Sequence, residues 1–512
     1  MLFRSKDFSL PALKELKSHD IYVKPYIDSR LWREKDGKDG KSDWMYSSHG
    51  KKFAVKQLDG KPVLENYGAP YAVECPAAEG WQNYMVSLVE RLAQYGFDAI
   101  YHDQVATGRY YLCYDDSHGH KFADPDAWFG LGYQPMYQKI RAIKNKYPNL
   151  AHDTEEAADP YLQAMDGYMV WRWTDPGQIP LFASIYSGRI QFTGRLFNHQ
   201  FPGDYESFFA KIAEQLVLSE QIGWFDYPDM QDGAKRLYTK KAAHLRHALL
   251  NYFNESDMQH PLKFKTPIPE LRSKWGAVGN FNVVVTPKVR HAVYQRIDGS
   301  KMVIFANSTN EKITIQPELE LSGKLLGICR EGSSAAEITS KVPAITIAPR
   351  SFEVWIIGEA AQVQKETSRI STTMKKIAGF TAEIENTPTV VNPNLGNNKQ
   401  AIINGNGKFQ CMAETIPLTK NVTYKFSCEL RKTAPLSPQK TDHRIIIYNR
   451  SNGKYKQIAK LGEDIAADGQ WHKCETTFNV PDMSGDFQIY LYNCNSNGTV
   501  EMKYPVFMPI TR

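Results

Sequence analysis

Two short stretches decide the fold of the first half of this chain: GFDAIYHDQ, residues 96–104, and NLAHDTEEA, residues 149–157. Each contains a short strand-like run that stops at a carboxylate. The first run stops at Asp103, and the second stops at Glu155, which Glu156 follows. Short runs of this kind, bounded by polar residues, are typical of strands in a parallel sheet.

A helix pattern precedes each of these strands. GWQNYMVSLVERLAQY, residues 80–95, and PMYQKIRAIKNKYP, residues 135–148, place apolar residues three and four positions apart. A helix followed by a buried strand, repeated, is the order of elements in a (β/α) fold. The sequence therefore predicts a (β/α)8-type barrel, whose chemistry would sit at the carboxyl ends of its strands.

The composition limits the classes of protein that the chain can represent. Its 512 residues predict two to four domains. The net charge of +6, from 62 basic and 56 acidic residues, gives no argument for a nucleic-acid partner. No run of 18 apolar residues occurs, so we expect no membrane span. The seven cysteines include no CxxC pair, and we expect no cofactor.

The barrel is predicted over residues 1–255. Strand patterns occur at 21–27, before Asp103, before Glu155, at 167–173 and at 189–195. This is fewer than the eight strands of a complete barrel, so we expect the first one or two barrel units to be missing or highly divergent. The alternative is that weak strands escape recognition by their pattern. The first residues lack the apolar core of a signal peptide. We nevertheless expect the full-length product to be exported to the periplasm or the medium.

The period of the sequence changes to alternation after the barrel region. AVYQRIDGSKMVIFANST, residues 292–309, places a DG turn between two strands and predicts a hairpin. We expect a β-sandwich over 256–360, a polar linker over 361–379, and a jelly-roll sandwich over 380–512. The predicted fold is thus a barrel, complete or shortened at its amino terminus, followed by two all-β sandwich domains.

The two strand-terminal carboxylates are the candidate catalytic residues. A strand-terminal Asp can simply cap a turn, but a second carboxylate on a neighbouring strand favours a paired site at Asp103. Glu155 and Glu156 are adjacent in an extended strand, so only one of them can face the barrel axis. Periodicity does not choose between the two.

Further side chains lie where the rim of such a barrel would be, and we predict that they contact substrate. The aromatic residues among them have core packing as their alternative role. The predicted contacts are Arg30, Trp32, His102, His118, His120, Trp171, Trp173 and Arg195.

The loop CYDDSHGH, residues 113–120, contains a His-x-His pair that could bind a metal. No third ligand is evident from the spacing. We therefore favour substrate hydrogen bonding or loop structure for His118 and His120, and we predict no metal site.

The motifs from IYVKPYIDSRLW to FTGR, over roughly residues 10–225, resemble an uncharacterised bacterial family of glycoside-hydrolase-like barrels. The order of elements is also similar to that of the α-amylase superfamily. That resemblance implies that Asp103 is the nucleophile and that Glu155, in TEEAADPYL, is the general acid/base. Residues 469–481, GQWHKCETTFNVP, resemble a carbohydrate-binding module.

The sequence thus favours a glycoside hydrolase that acts on oligo- or polysaccharides by a retaining, two-carboxylate mechanism. We expect the field of the pair to raise the pKa of the acid. The alternative is a carbohydrate-binding protein with a degenerate, non-catalytic barrel. The sequence indicates no oligomeric state.

Overall fold

The structure is a computed structural model. It describes residues 9–36, 45–171, 180–186, 188–195, 205–223, 225, 229–230, 232–277, 280–380, 393, 395, 400–406, 408–433, 444–451, 453–493 and 497–510. The chain divides into two compact units, Met1–Phe225 with Ala242–Met374, and Asp226–Lys241 with Lys375–Arg512. The predicted domain boundaries stay predictions.

Helices and strands alternate through the first half of the chain. In order they are α1 (Leu10–Ser18), β1 (Tyr26–Asp28), β2 (Leu31–Arg33), β3 (Leu64–Asn66), β4 (Pro70–Val73), α2 (Glu79–Tyr95), β5 (Ala99–Asp103), α3 (Gln134–Ala142), β6 (Ala151–Glu155), β7 (Gly167–Trp171), α4 (Leu181–Tyr186), β8 (Gln191–Arg195), α5 (Tyr205–Val217), α6 (Gly233–Ala248) and α7 (Leu250–Glu255).

Five of these strands form one parallel sheet in the order β1-β5-β6-β7-β8. Helix α2 connects to β5 through Gly96, whose φ of +93° ends the helix in the left-handed region that glycine tolerates. The strand ends predicted at Asp103 and Glu155 are confirmed. The predicted strand at 21–27 is shorter than expected and begins at Tyr26. Within the described residues the sheet has five strands and does not show the eight of a closed barrel.

The two faces of this sheet differ in burial because side chains alternate along each strand. One face carries Ile27, Ile100 and Tyr168, all buried in the core that the sheet shares with α2 and α3. The other face carries Tyr26, which is 50% exposed, and the strand-terminal carboxylates. The second face is therefore the one that a ligand can reach.

The loop-rich stretch between β1 and α2 contains a three-stranded antiparallel sheet in the order β2-β4-β3. Its residues Leu31, Ala72 and Val73 are buried in the same core as the parallel sheet. This small sheet therefore packs as part of the first unit rather than as an irregular loop.

The next region is built from antiparallel strands. A six-stranded sheet in the order β18-β17-β20-β14-β13-β9 shares one core with the β15-β19 pair. The predicted hairpin is confirmed as β13 and β14, with Gly299 in its turn at a φ of +80°. The elements of this region are β9 (Ser256–Gln259), β10 (Lys263–Phe264), β11 (Glu270–Ala277), β12 (Asn280–Pro287), β13 (Val289–Arg296), β14 (Lys301–Asn307), β15 (Ile313–Ile315), β16 (Pro317–Glu318), β17 (Leu325–Arg330), β18 (Glu337–Thr339), β19 (Ile345–Ile347), β20 (Phe352–Gly358) and α8 (Ala360–Ala378).

Helix α8 corrects the prediction of a polar linker over 361–379. Val363, Thr367, Ile370 and Met374 are spaced four, three and four apart and are all buried. This spacing places them on one side of a helix, where Gly327 of β17 lies against the side chains of Val363 and Thr367. The linker prediction was wrong because the mean polarity of the segment concealed a narrow apolar stripe.

The described residues of the carboxyl-terminal region form two four-stranded antiparallel sheets, β21-β28-β23-β26 and β22-β27-β24-β25, around one core. This arrangement is the β-sandwich that the alternation predicted. Among the described residues, no helix combines the length and the apolar character that a membrane crossing needs. The strands are β21 (Gln400–Asn404), β22 (Gln410–Ile416), β23 (Thr423–Lys432), β24 (Ile445–Ser451), β25 (Lys454–Leu461), β26 (His472–Asn479), β27 (Asp486–Asn493) and β28 (Thr499–Pro509).

Candidate active site

Three neighbouring strands of the parallel sheet end in carboxylates at the same level. Asp28 of β1 is the register partner of Asp103 of β5. His102 is the partner of Thr154, so the residues that follow them, Asp103 and Glu155, also lie side by side. Residues at the same level of a parallel sheet point to the same face. The three carboxyl groups therefore form a row at the carboxyl edge of the sheet.

The backbone turns sharply after two of these carboxylates. Gln104 has a φ of +61° and Glu156 a φ of +58°, the left-handed region that non-glycine residues rarely adopt. Arg30 Nη1 donates to Gln104 Oε1 at 2.9 Å, and the Glu156 N–H donates to the Met169 carbonyl at 2.8 Å. These contacts hold both turns, so each strand stops with its carboxylate at the edge. Strained backbone of this kind is common at functional sites.

Asp103 is the centre of the hydrogen bonding in this row. Its carboxyl group shares a hydrogen bond with that of Glu155. The Tyr26 hydroxyl donates to Asp103 Oδ2, and the Tyr26 ring stacks on Tyr101 with 5.6 Å between the ring centroids. Asp103 is therefore held by a carboxyl group on one side and a phenol on the other.

The electrostatics of the row favour retention of a proton. Burial raises the pKa of Asp103 to about 7, and the negative charges of Asp28 and Glu155 act in the same direction. Burial also raises the pKa of Asp28 to about 6, although two backbone N–H groups donate to it. Burial and the Asp103 carboxylate raise the pKa of Tyr26, which keeps its hydroxyl a donor.

We expected the raised pKa on the acid, Glu155, and the structure shows one on Asp103. Asp103 is buried. Removal of water from a carboxyl group disfavours its charged form.

The structure also bears on the choice between Glu155 and Glu156. Glu155 is the last residue of β6, at the level of Asp103, and its carboxyl group reaches Asp103. Glu156 lies beyond the strand, in the left-handed turn. Glu155 is therefore the partner of Asp103.

Arg30, a predicted substrate contact, is instead enclosed by protein. It is 1% exposed, and its guanidinium donates to Glu65 Oε1 at 2.6 Å and Oε2 at 2.7 Å. It also donates to Gln104 and to the carbonyl of Arg109. Its contacts tie the start of the loop after β5 to β3. The structure thus gives Arg30 a positioning role beside the carboxylates, without a substrate contact.

Trp32 and His102 are also buried, and the structure does not support a substrate contact for either. Trp32 packs against Trp81 and Tyr84 in the core. His102 precedes Asp103 in the strand and therefore points to the opposite face, where its Nδ1 lies 2.9 Å from Ser29 Oγ. Burial lowers the pKa of His102, which stays neutral there.

His118 and His120 are buried beside two cysteines. The Nδ1 atom of His118 lies 3.4 Å from Cys113 Sγ, and the Nε2 atom of His120 lies 3.4 Å from Cys75 Sγ. Spacing in the sequence gave these histidines no third ligand, whereas the structure places Cys75 and Cys113 beside them; the absence of a metal site stays a prediction. The signal was hidden because Cys75 lies 38 positions before Cys113 in the sequence.

Three of the predicted substrate contacts lie outside the description of side chains. Trp171 ends β7 and Arg195 ends β8, but only their backbone is described. Trp173 lies outside the described residues. Substrate binding by these three side chains stays a prediction.

Sequence reasoning missed Asp28 and Tyr26. Asp28 follows the apolar end of the stretch IYVKPYI in the way that Asp103 follows its own strand. The same strand-terminal pattern could therefore have identified it. Tyr26 lies two residues before Asp28, so alternation along the strand predicts that its side chain is on the same face. Alternation does not predict its hydrogen bond to Asp103.

Comparison with known proteins gives one family match and one curated relative. Residues 5–199 match a family described as a domain of unknown function (DUF6259). A protein of Monosiga brevicollis named "Putative glycoside hydrolase 22789" is 23% identical over 243 residues. This match covers 45% of the present chain and 20% of the Monosiga protein. The present chain thus aligns with about a fifth of that relative.

Several solved structures are similar in part. An α-amylase of Geobacillus thermoleovorans, complexed with acarbose, has a TM-score of 0.43 and 13% identity over 69% of this chain and 80% of its own. The isomalto-dextranase of Arthrobacter globiformis T6 has a TM-score of 0.41 and 9% identity over 97% and 84%. A "Family 16 Carbohydrate Binding Module-2" has a TM-score of 0.18 and 22% identity over 22% and 78%. At scores this low, the likenesses establish neither fold nor function for this chain.

Proposed function

We propose that this chain hydrolyses glycosidic bonds of oligo- or polysaccharides at the row formed by Asp28, Asp103 and Glu155. The observation that carries the proposal is the pair of carboxyl groups of Asp103 and Glu155, which meet at the ends of adjacent parallel strands. Two carboxyl groups on one site are the equipment for this reaction.

The chemistry divides between the two members of the pair. Asp103 first passes the proton that it holds to Glu155. The Asp103 carboxylate then attacks the anomeric carbon while Glu155 protonates the departing glycosidic oxygen, which gives a covalent glycosyl ester. Glu155 then removes a proton from water, and this water hydrolyses the ester and releases Asp103. The Tyr26 hydroxyl, a hydrogen-bond donor to Asp103, stabilises the carboxylate form that must attack.

The contact between the two carboxyl groups favours retention of configuration. An inverting enzyme needs about 6.5–9.5 Å between its carboxyl groups to admit a water molecule, and a retaining enzyme needs about 5–5.5 Å. Asp103 and Glu155 lie at the same level of adjacent strands, and neighbouring strands are about 4.8 Å apart, which is close to the retaining distance.

Two further observations support the proposal. The name of the Monosiga relative contains the same activity, and its alignment covers 45% of this chain. The pKa of Asp103 is strongly raised on a partly exposed sheet edge, as is common for catalytic carboxyl groups.

The test is hydrolysis of a glycan panel by the intact chain and by three variants. Asp103→Asn and Glu155→Gln should each lower the rate by at least about a thousandfold, because each removes one half of the mechanism. Glu156→Gln is the matched control, since it neutralises the adjacent carboxylate outside the strand, and should stay within about twofold of wild type. Undiminished turnover in Asp103→Asn or Glu155→Gln, with the fold intact by circular dichroism, would exclude the assignment.

A second measurement separates the two roles. A nitrophenyl leaving group departs without protonation, so Glu155→Gln should retain most of its first-step rate on nitrophenyl glycosides and lose it on natural glycans. Asp103→Asn should lose both activities. The opposite pattern would assign the nucleophile to Glu155.

We also propose that the carboxyl-terminal sandwich binds glycans. Its β24, β25 and β27 strands place Tyr448, Tyr455, Tyr490 and Tyr492 in one cluster, with centroids of neighbouring rings 5.4 to 5.6 Å apart along the series. Tyr455 is 50% exposed, and Tyr490 alternates with buried core residues of the same strand. Aromatic faces of this kind can stack on sugar rings.

Affinity electrophoresis of the intact chain on soluble polysaccharides tests this binding function. Tyr490→Ala should weaken retardation about fivefold, from the loss of roughly 1 kcal/mol of stacking. Tyr504→Ala, an exposed tyrosine outside the cluster, is the control. Equal retardation of Tyr490→Ala and wild type would exclude the tyrosine cluster as the glycan-binding surface. Binding without turnover by the wild-type chain would instead favour the non-catalytic alternative.

A further inference from the structure

Four buried side chains with metal-ligand chemistry converge in the first unit. Cys75, Cys113, His118 and His120 each offer one ligand atom, and these atoms all lie within 4.8 Å of one another. The two cysteines are 1% exposed and the two histidines 5% and 6%. None of the four takes part in the proposed hydrolysis.

Two separate segments supply the four groups. Cys75 lies between β4 and α2, and the other three residues come from the loop that follows β5. In that loop a short 3-10 turn ends at His118, and Gly119 reverses the chain with a φ of +85°. The reversal brings the rings of His118 and His120 to 6.0 Å between centroids.

The far nitrogen of each histidine is held by a backbone carbonyl. His118 Nε2 donates to the Lys52 carbonyl at 3.0 Å, and His120 Nδ1 donates to the Lys121 carbonyl at 2.7 Å. A carbonyl can only accept, so these nitrogens carry the protons. In the neutral ring the other nitrogen of each histidine then has a lone pair, and it faces the cysteines. This second contact is the usual way in which a metal-binding histidine is oriented.

The spacing of the ligand atoms fits a tetrahedral ion. Bonds of about 2.3 Å to sulfur and about 2.0–2.1 Å to nitrogen place the ligand atoms of a tetrahedral zinc site about 3.3 to 3.8 Å apart. Two of the six distances between ligand atoms, His118 Nδ1 to Cys113 Sγ and His120 Nε2 to Cys75 Sγ, are 3.4 Å, and all six are within 4.8 Å.

We propose that Cys75, Cys113, His118 and His120 bind one Zn²⁺ ion in a closed structural site. Two sulfur and two imidazole ligands are a zinc set, and four protein ligands leave no position for a substrate or for water. The ion joins the loop after β5 to the segment before α2. The same loop begins next to Asp103, so the ion fixes one border of the candidate active site without taking part in its chemistry.

Zinc content and zinc retention test the site in the intact chain. After dialysis against a weak chelator, the purified protein should hold about one zinc per chain by inductively coupled plasma mass spectrometry. Cys113→Ser and His118→Ala should each retain at least about tenfold less zinc. Cys329→Ser is the matched control, because Cys329 is also buried but packs beneath α8, and it should retain zinc like wild type.

Two measurements on wild type keep the test valid if the variants fail to fold. X-ray absorption at the zinc edge should give two sulfur neighbours at about 2.3 Å and two nitrogen neighbours at about 2.0–2.1 Å. Replacement of zinc by Co²⁺ should give the strong visible absorption of tetrahedral cobalt with a thiolate charge-transfer band.

Three outcomes would overturn the proposal. They are a chain that binds neither Zn²⁺ nor Co²⁺ at micromolar concentration, a Cys75–Cys113 disulfide found by thiol titration of the denatured protein, and zinc retention unchanged in both ligand variants. None of these measurements depends on turnover, so failure of the zinc site and failure of the hydrolase proposal are distinguishable.

Discussion

Asp103→Asn should stabilise the first unit at alkaline pH while it abolishes turnover. Burial raises the pKa of Asp103 from an ordinary value of 3.8 to about 7. The folded protein therefore holds a proton that the unfolded chain releases. Asparagine has the shape of the protonated side chain, can accept from Tyr26 and can donate to Glu155, but it never ionises.

The magnitude follows from the two pKa values. The stability that this proton supplies is fully present below pH about 4 and is lost as pH rises to about 7, because the folded state binds more protons than the unfolded state in that interval. A shift of about three pKa units corresponds to about 4 kcal/mol at pH 8. The stability of Asp103→Asn relative to wild type should thus increase by about 3 kcal/mol between pH 5 and pH 8.

Hydrogen exchange measured by mass spectrometry on peptides from β5 and β6 reports this difference for the first unit alone. Asp166→Asn is a control of opposite sign. Although burial opposes it, the contacts of Asp166 with Arg141 and Lys144 lower the pKa of its carboxyl group. Its replacement should therefore destabilise the protein at pH 8, and the effect should diminish as pH falls toward the pKa of the folded state.

A relative stability of Asp103→Asn that stays constant from pH 5 to pH 8 would refute the reasoning. A decrease over this interval would mean that the folded protein stabilises the charged carboxylate. In either case the raised pKa, and with it the shared proton, would have to be abandoned.

Three further substitutions test other parts of the structure. Arg30→Met removes the guanidinium partner of the partly buried Glu65, which keeps the Tyr67 and Tyr111 hydroxyl donors, so it should cost about 1–3 kcal/mol in urea unfolding and accelerate hydrogen exchange in the loop after β5; unchanged exchange there would contradict the positioning role. Trp32→Ala should cost about 3–5 kcal/mol, measured in the same way, and a cost below about 1 kcal/mol would mean that the ring is not in the core. Ile370→Asp places a carboxylate in the apolar contact of α8 and should lower the melting temperature in calorimetry by several degrees, whereas an unchanged temperature would favour the linker that we first expected.

The sequence predicted the parts of the fold that depend on local periodicity. The helix α2, the ends of β5 and β6 and the hairpin of β13 and β14 each follow from apolar spacing or from a turn residue within a few positions. The pairing of Asp103 with Glu155 followed from parallel strands that share one edge. The sequence could not tell whether Glu155 or Glu156 is the partner of Asp103, because the answer depends on the residue at which β6 ends.

Other features depend on contacts between distant residues. Cys75 reaches the histidines only when the loop after β5 folds back, which no spacing rule reports. Arg30 and Trp32 occupy positions expected of a rim, yet Arg30 is enclosed by its pairing with Glu65 of β3, and Trp32 packs against α2. His102 is different, since alternation already directs it away from Asp103 and could have removed it from the predicted substrate contacts.

The row of Asp28, Asp103 and Glu155 also determines what kind of small molecule should bind there most tightly. A ring amine that carries a positive charge can donate to Asp103 and Glu155 together and replace the proton that they share. Its affinity should increase as pH rises from 5 to 8, because the row gives up protons over this range, until the amine itself loses its charge. A neutral sugar of the same shape gains nothing from that change. Inhibitor screens on this site should therefore begin with cationic sugar mimics under mildly alkaline conditions.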